Sequence, residues 1–386
     1  MTKKSPVNLM KKYVLFSVAI VSIFCGHLVW SFTGRSHSMR KPDLRLERIE
    51  SFGKDVKKGN LLGVQPWMIP NDYSKEENFR EKIESYLETA HKRGFLNSKT
   101  IVVFPEYLGT WLVVAEEKES VISATKIEEA MQTLVLSNAY SFIWNLLKAK
   151  GKDSVRDALF RMKSKEMASI YVRTFSELAR KYTITIVAGS ILLPEPSVVD
   201  GVLQIGNGSL KNGSFVFSSD GKVVENSPLK IYPIEDEKTF VEAAPITDLK
   251  VSSVPAGRIG VLVCADSWFP EVYDTFKKQN VDFVLVPSYV APDNAMSTVW
   301  KGYNGASNPK DVSAQDVDRI TEGEAWLKYA LGGRMSKSGA THGINVFLRG
   351  SLWDLGSDGE TIWVKRSTAK SFPRIHGASI VNLWID

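Results

Sequence analysis

Two spacings of apolar positions alternate along the chain. Short unbroken apolar runs occur at Asn60–Gln65, Thr100–Phe104, Thr183–Ala188, Arg258–Val263, Val281–Val286 and Ile344–Leu348. Their length and β-branched content predict strands buried on both faces. Between them lie stretches with helical spacing. In Glu76–Arg93 the apolar positions Phe79, Ile83, Tyr86, Leu87 and Ala90 fall on one face, and Gly94 ends the run. Residues 125–150, Tyr171–Lys181, Pro270–Gln279 and Ala325–Ser338 are read as further helices. Two hairpins are expected. One lies in Gly213–Val224, turning at Ser-Ser-Asp-Gly, and a last one turns at Ser357-Asp358-Gly359. Strands alternating with helices, plus hairpins, predict an α/β layered domain with a mixed sheet.

The N-terminus follows neither spacing. Tyr13–Phe32 is an apolar run without Asp, Glu, Lys or Arg. At about 1.5 Å per residue it would span roughly 30 Å, one hydrocarbon core. Two readings compete, an uncleaved transmembrane signal-anchor and a cleaved secretory signal. The run ends His-Leu-Val-Trp-Ser-Phe, a poor cleavage site, and the anchor is preferred. This divides the chain into a basic tail (1–12), a transmembrane helix (13–32), a basic stalk (33–58), read as helical near Leu44–Ile49, and a globular domain (59–386). Lys and Arg flank both ends of the apolar run, so charge leaves the orientation open. The expected location is a single-pass membrane protein, with the extracytoplasmic side preferred for the domain.

Charge sharpens this division. The net charge is +6, but residues 1–58 carry 12 Lys/Arg against 4 Asp/Glu, so the remainder is slightly acidic. A basic terminus on an acidic body argues against nucleic-acid binding and for anionic lipid as the electrostatic partner of the N-terminus. The two cysteines, Cys25 and Cys264, lie in segments too different to be bridged, so no disulfide framework is expected.

Three strand ends carry reactive side chains. Glu106 follows the strand Thr100–Phe104, Lys230 follows the first hairpin, and Cys264 sits where Arg258–Val263 breaks into a turn. Each alone is ordinary, as a capping carboxylate, a solvated amine and a small core hydrophobe. A thiol at such a turn faces backbone N–H groups, which predicts a lowered pKa and a cradle for an oxyanion. A Cys–His scheme would need His342 or His376, and neither has a supporting pattern around it. No HExxH, paired CxxC or GxxxxGK occurs, so neither metal nor cofactor is called for.

Together these blocks resemble the nitrilase superfamily of carbon–nitrogen hydrolases, in its amidase-like branch. Gly257-Arg-Ile-Gly-Val-Leu-Val-Cys264-Ala-Asp-Ser-Trp-Phe-Pro270-Glu271 is similar to the family's cysteine block almost throughout, and Val281–Ser288 to the strand after it. Val102-Val-Phe-Pro-Glu106 is similar to the first catalytic strand. The Lys230 block is a weaker match. The segment from Asp236 to Pro245 resembles the stretch holding a second active-site glutamate, for which Glu237 is the choice and Glu235 the rival. The resemblance covers about residues 60–385.

It implies a four-layer αββα sandwich, commonly paired as a homodimer or higher homo-oligomer. It also implies a catalytic set of Glu106 (acid and base), Lys230 and Cys264 (nucleophile), supported by Glu237, the Ala265 backbone N–H as oxyanion donor, and Asp266. The implied reaction is hydrolysis of an amide or carbamoyl C–N bond in a small-molecule or lipid-like substrate, through a thioester. The alternatives are transfer of the same acyl group to an amine, nitrile hydrolysis, and an idle membrane-tethered scaffold. The chain departs from the family in two places. Ala265 stands where an aromatic residue is usual, and a longer helical segment, about 113–165, follows Glu106. That segment is read as an extra helix pair on the body or at a dimer interface, or else as a lid or membrane-facing wall.

Overall fold

The computed structural model describes residues 6–35, 38–39, 41–304 and 307–386. Two six-stranded mixed sheets lie face to face. The first runs in the order Leu46–Phe52, Ala378–Trp384, Asn60–Gln65, Thr100–Phe104, Thr185–Ala188, Val216–Phe217. The second runs Thr368–Lys370, Ile362–Lys365, His342–Phe347, Phe283–Ser288, Gly257–Val261, Ser252–Val254. The central pairs of each sheet are parallel.

Period-2 alternation builds the layers. Leu61, Ile101, Val103 and Val187 of the first sheet pack against Ile259, Val261, Leu285, Ile344 and Val346 of the second. Leu62, Val64, Val102 and Phe104 point the other way, onto the helices Glu76–Lys92 and Ser154–Tyr182. Val284 and Val286 likewise face the helix Pro270–Lys278 and the helical segment 322–338. The result is the expected αββα sandwich. Gly63 leaves room for the facing sheet, since a Cβ there would lie 2.7 Å from Ile344 Cδ1.

Several expectations need correction. The segment around Leu44–Ile49 is not helical. Leu46–Phe52 is an edge strand parallel to Ala378–Trp384, with Ile49 opposite Ile380, so the sheet begins inside the presumed stalk and not at residue 59. Its polar positions misled the reading because an edge strand is half solvated, and Arg48 is tied to Glu360 at 2.7 Å.

The last hairpin joins Ile362–Lys365 to Thr368–Lys370. Asp358 instead bridges to Val290. The first hairpin shrinks to a single bridge, Phe217 to Val223, while a long one not foreseen pairs Ile191–Val199 with Val202–Gly213.

Residues 125–150 form two helices, Ile127–Ser137 and Ala139–Leu146. They part at Asn138, whose side chain donates to the Leu134 carbonyl at 2.8 Å and to Glu117 at 2.9 Å, competing with the helical ladder. The helix expected over Ala325–Ser338 breaks at Ala330, ahead of Gly332-Gly333.

The N-terminal helix is longer than the apolar run, Pro6–Phe32. Among the described residues it is the one helix long and apolar enough to cross a membrane. Most of it is exposed, but its C-terminal end rests on the body. His27 Nε2 lies 2.9 Å from the Leu136 carbonyl, Ser31 donates to the Ser137 carbonyl, and Phe24 and His27 pack on Tyr140.

Candidate active site

Parallel strands end on the same side, and that geometry assembles the site. Glu106 lies just beyond the C-terminal end of Thr100–Phe104, and Cys264 just beyond that of Gly257–Val261. The facing sheets therefore deliver a carboxylate and a thiol to one place. Both turns are tight. Tyr107, after Glu106, has φ +60°, and Cys264 itself has φ +50°, a costly left-handed conformation for a side-chain-bearing residue. Gly189 lets the neighbouring strand end pass the Glu106 turn, because a Cβ there would fall 2.1 Å from the Pro105 carbonyl.

Lys230 is positioned by the long hairpin. Its N–H donates to the Asn212 carbonyl at 2.8 Å, and its own carbonyl accepts from Ala244 at 2.9 Å. Its ammonium then bridges two buried carboxylates, Glu106 Oε1 at 2.8 Å and Glu237 Oε2 at 2.6 Å. Glu235 is exposed and pairs with Lys238, so Glu237 is the glutamate that joins the cluster.

Two residues missed in the sequence complete it. Asn212 donates to Glu106 Oε1 at 3.0 Å and to Glu237 Oε1 at 3.2 Å, and the Tyr107 hydroxyl donates to Glu237. Asn212-Gly213 reads as hairpin chemistry and so hid its role. Tyr107 had only its adjacency to Glu106 to mark it.

Asp266 acts on backbone. Its carboxylate accepts from the N–H groups of Ile231 (3.0 Å), Tyr232 (2.7 Å) and Val263 (3.2 Å). It thereby ties the Lys230 loop to the Cys264 turn. Ala265 is buried directly after Cys264. His342 caps the opposite end of the second sheet, where it aligns with Phe283 and through it with Ile259. His376 is exposed on the surface. Neither histidine reaches the thiol.

Electrostatics follow from dryness. Burial opposes charge on Lys230, yet the carboxylates of Glu106 and Glu237 outweigh it and hold its pKa well above the ordinary lysine value. Burial pushes Glu106 up, against the pull of Lys230. The Cys264 thiol is also pushed well up, by burial first and by the Glu106 charge second, with Lys230 opposing. This corrects the expectation of a lowered thiol pKa, since desolvation and a neighbouring anion outweigh the turn's N–H groups. Cys264 is held as a thiol lying against the Tyr289 carbonyl (3.7 Å) and the Glu106 carboxyl. Burial raises Asp266 to about 7 despite its three N–H donors.

The carbon-nitrogen hydrolase family model matches residues 64–308, well over half of the chain and including every residue of this cluster. The chain belongs to the carbon-nitrogen hydrolase family. A probable hydrolase, YhcX of Bacillus subtilis, is 25% identical over 122 residues, covering 32% of this chain. That match spans only 21% of the length of YhcX. Among solved structures, a double mutant of the amidase from Nesterenkonia sp. AN1 in complex with acrylamide is similar at 15% identity and TM-score 0.49, over 86% of this chain and 93% of that one. A single mutant of that amidase, described as from the nitrilase superfamily, has 15% identity and TM-score 0.49, over 84% and 90% of the two chains. Within this family member, the residues singled out in the sequence are brought into one buried cluster, with Asn212 and Tyr107 added to it.

Proposed function

We propose that this protein hydrolyses the carbon–nitrogen bond of an amide or carbamoyl substrate through a thioester on Cys264. The observation that carries the reading is Lys230 bridging Glu106 and Glu237 in a dry site, with the Cys264 thiol against Glu106. Because the thiol is protonated at rest, its proton must leave as Sγ adds to the carbonyl carbon, and Glu106 is the acceptor. The tetrahedral oxyanion is stabilised by Lys230 and the Ala265 N–H. Glu106 returns the proton to nitrogen as the C–N bond breaks, releasing the amine and leaving the thioester. Water then adds to the thioester carbonyl, giving a proton to Glu106. The C–S bond breaks, the acid leaves and the thiol is restored. Glu237 holds Lys230 charged and in place throughout.

The test is turnover of a panel of amides, carbamoyl amino acids and nitriles, with intact mass of the protein measured during turnover. An acyl adduct on Cys264, absent from Cys264→Ser together with turnover, is expected. Wild-type-like turnover by a folded Cys264→Ser would overturn the assignment. Acyl product appearing on an added amine in place of water would make the protein a transferase.

The N-terminal helix is read as an uncleaved single-pass anchor. Its end has a built seat, in which Arg35 donates to Glu117 at 3.0 Å and Lys118 donates to the Trp30 carbonyl at 2.6 Å. Glu117 also takes Lys163 at 2.9 Å, so the seat is wired into the body. A segment removed by cleavage would leave those groups facing water.

A further inference from the structure

We infer that the helix Ala139–Leu146 and the residue after it form a second membrane contact, lying in the lipid headgroup–acyl boundary beside the N-terminal helix. The inference rests on reading that helix as a membrane anchor.

The first observation is a stripe of apolar side chains. Tyr140, Ile143, Trp144 and Leu147, spaced three and four apart on one helical face, are all exposed, with Leu136 next to them on the preceding helix. The opposite face is anchored by buried Phe142. Among the described residues outside the N-terminal helix, the remaining exposed large apolar side chains are Met39 and five valines, of which Val199 and Val202 face each other across a hairpin. The stripe is therefore the largest concentration of exposed large apolar groups among the described residues of the body, a pattern that marks an interaction surface.

The second observation is continuity with the anchor. Tyr140 packs on Phe24 at 5.1 Å and on His27 at 5.2 Å between ring centroids. Phe24 lies about 12 Å from the helix end at Phe32, at about 1.5 Å rise per residue. A bilayer that surrounds the apolar run therefore meets Tyr140 about 12 Å below the run's C-terminal end, just beyond the roughly 5–10 Å at which amphipathic helices bed.

The third observation is charge. No acidic residue occurs between Glu129 and Asp153, while Lys148, Lys150 and Lys152 follow the stripe. Lys148 sits 4.8 Å from the Trp144 ring centroid. Tryptophan beside lysine suits a membrane–water interface, with the ring at headgroup level and the cation toward anionic headgroups. A second protein copy would gain little from this lysine cluster, and so the occupant is anionic lipid.

The experiment uses the full chain in phosphatidylcholine vesicles containing phosphatidylglycerol, with Cys25→Ser/Cys264→Ser as background and spin labels at single introduced cysteines. Labels at Ile143→Cys and Leu147→Cys should collide more with oxygen than with a polar nickel reagent, as should a label at Val18→Cys in the anchor. A label at Lys278→Cys, in the opposite helical layer, should show the reverse. Lipid-like behaviour at Val18 with water-like behaviour at 143 and 147 would overturn this inference and leave the anchor standing. Water-like behaviour at Val18 would sink the anchor reading and this one with it. Labels at 143 and 147 shielded from both reagents and broadened by spin–spin coupling would place a second copy there instead. As a check free of labels, brominated lipid should quench the wild type more than Trp144→Phe, and equal quenching of the two would count against the inference.

Discussion

In the proposed mechanism the Glu106 carboxylate both holds Lys230 and moves a proton, and replacing Glu106 by Gln separates these two roles. In the wild type Glu106 Oε1 accepts from Lys230 at 2.8 Å and from Asn212 at 3.0 Å. A Gln carbonyl oxygen can keep both contacts, and Lys230 retains Glu237 at 2.6 Å. The fold should therefore survive, at less than the roughly 3–5 kcal/mol typical of leaving a buried charge without any partner. Proton transfer should not survive. Loss of a general base costs about 10²–10⁴-fold, which at about 1.36 kcal/mol per tenfold is roughly 3–5 kcal/mol in the acylation barrier.

The same change should move the thiol the other way. The Glu106 charge is the second cause, after burial, of the raised Cys264 pKa, so removing it should lower that pKa while burial keeps it elevated. The assay is single-turnover acylation across pH, paired with thiolate ultraviolet absorbance measured as Glu106→Gln minus Glu106→Gln/Cys264→Ser. Slow acylation combined with a thiol that titrates at lower pH than in the wild type is the expected pair. Normal acylation followed by a stall at thioester hydrolysis would refute Glu106 as the first proton acceptor and point to Glu237. A thiol pKa that rises would refute the electrostatic account.

Lys230→Met leaves Glu106 and Glu237 facing each other without their cation. Denaturant unfolding near neutral pH should show a loss of about 3–5 kcal/mol, shrinking as pH falls and Glu106, whose pKa burial already raises, takes up its proton. A deficit independent of pH would count against charge as the cause. Asp266 has a folded-state pKa of about 7 against an ordinary 3.8. The native state thus holds the extra proton between those values, and this group's contribution to stability falls as pH rises through that window. Asp266→Asn should flatten that slope and cost about 1–3 kcal/mol through unmet backbone N–H donors, with activity falling further because the Lys230 loop loosens. An unchanged slope in pH-dependent melting would refute the assignment. Deleting residues 1–58 should lower the melting temperature more than deleting 1–40, because it removes the edge strand Leu46–Phe52 and its Arg48–Glu360 ion pair at 2.7 Å. Equal melting temperatures would mean that strand adds nothing.

The buried strands, the helix carried by Phe79, Ile83, Tyr86, Leu87 and Ala90, and the apolar N-terminal helix were legible in the sequence. The strands and the N-terminal helix show as unbroken apolar runs told apart by length, and the helix Glu76–Lys92 shows as apolar positions three and four apart. Glu106 and Cys264 were legible as reactive side chains at the ends of apolar strands, and only the resemblance of their blocks to the family set them apart from an ordinary capping carboxylate and core thiol. The edge strand Leu46–Phe52 was not legible, because a half-solvated strand at a sheet edge carries polar residues where a central strand would not. Nor was the break at Asn138, which depends on Glu117 reaching it across the fold.

Only tertiary structure could bring in Asn212 and Tyr107, since contact between residues far apart in sequence leaves no local spacing, whereas Glu237 was already preferred over Glu235 on the resemblance and its contact with Lys230 places it in the cluster. Tertiary structure also reversed the direction of the Cys264 shift. The turn is local and favours a thiolate, whereas dryness and the Glu106 charge come from the packing of two sheets and win at close range in a low dielectric. The apolar stripe on Ala139–Leu146 belongs to the same class. Its composition is visible in the sequence, but which side faces out is decided by where Phe142 is buried.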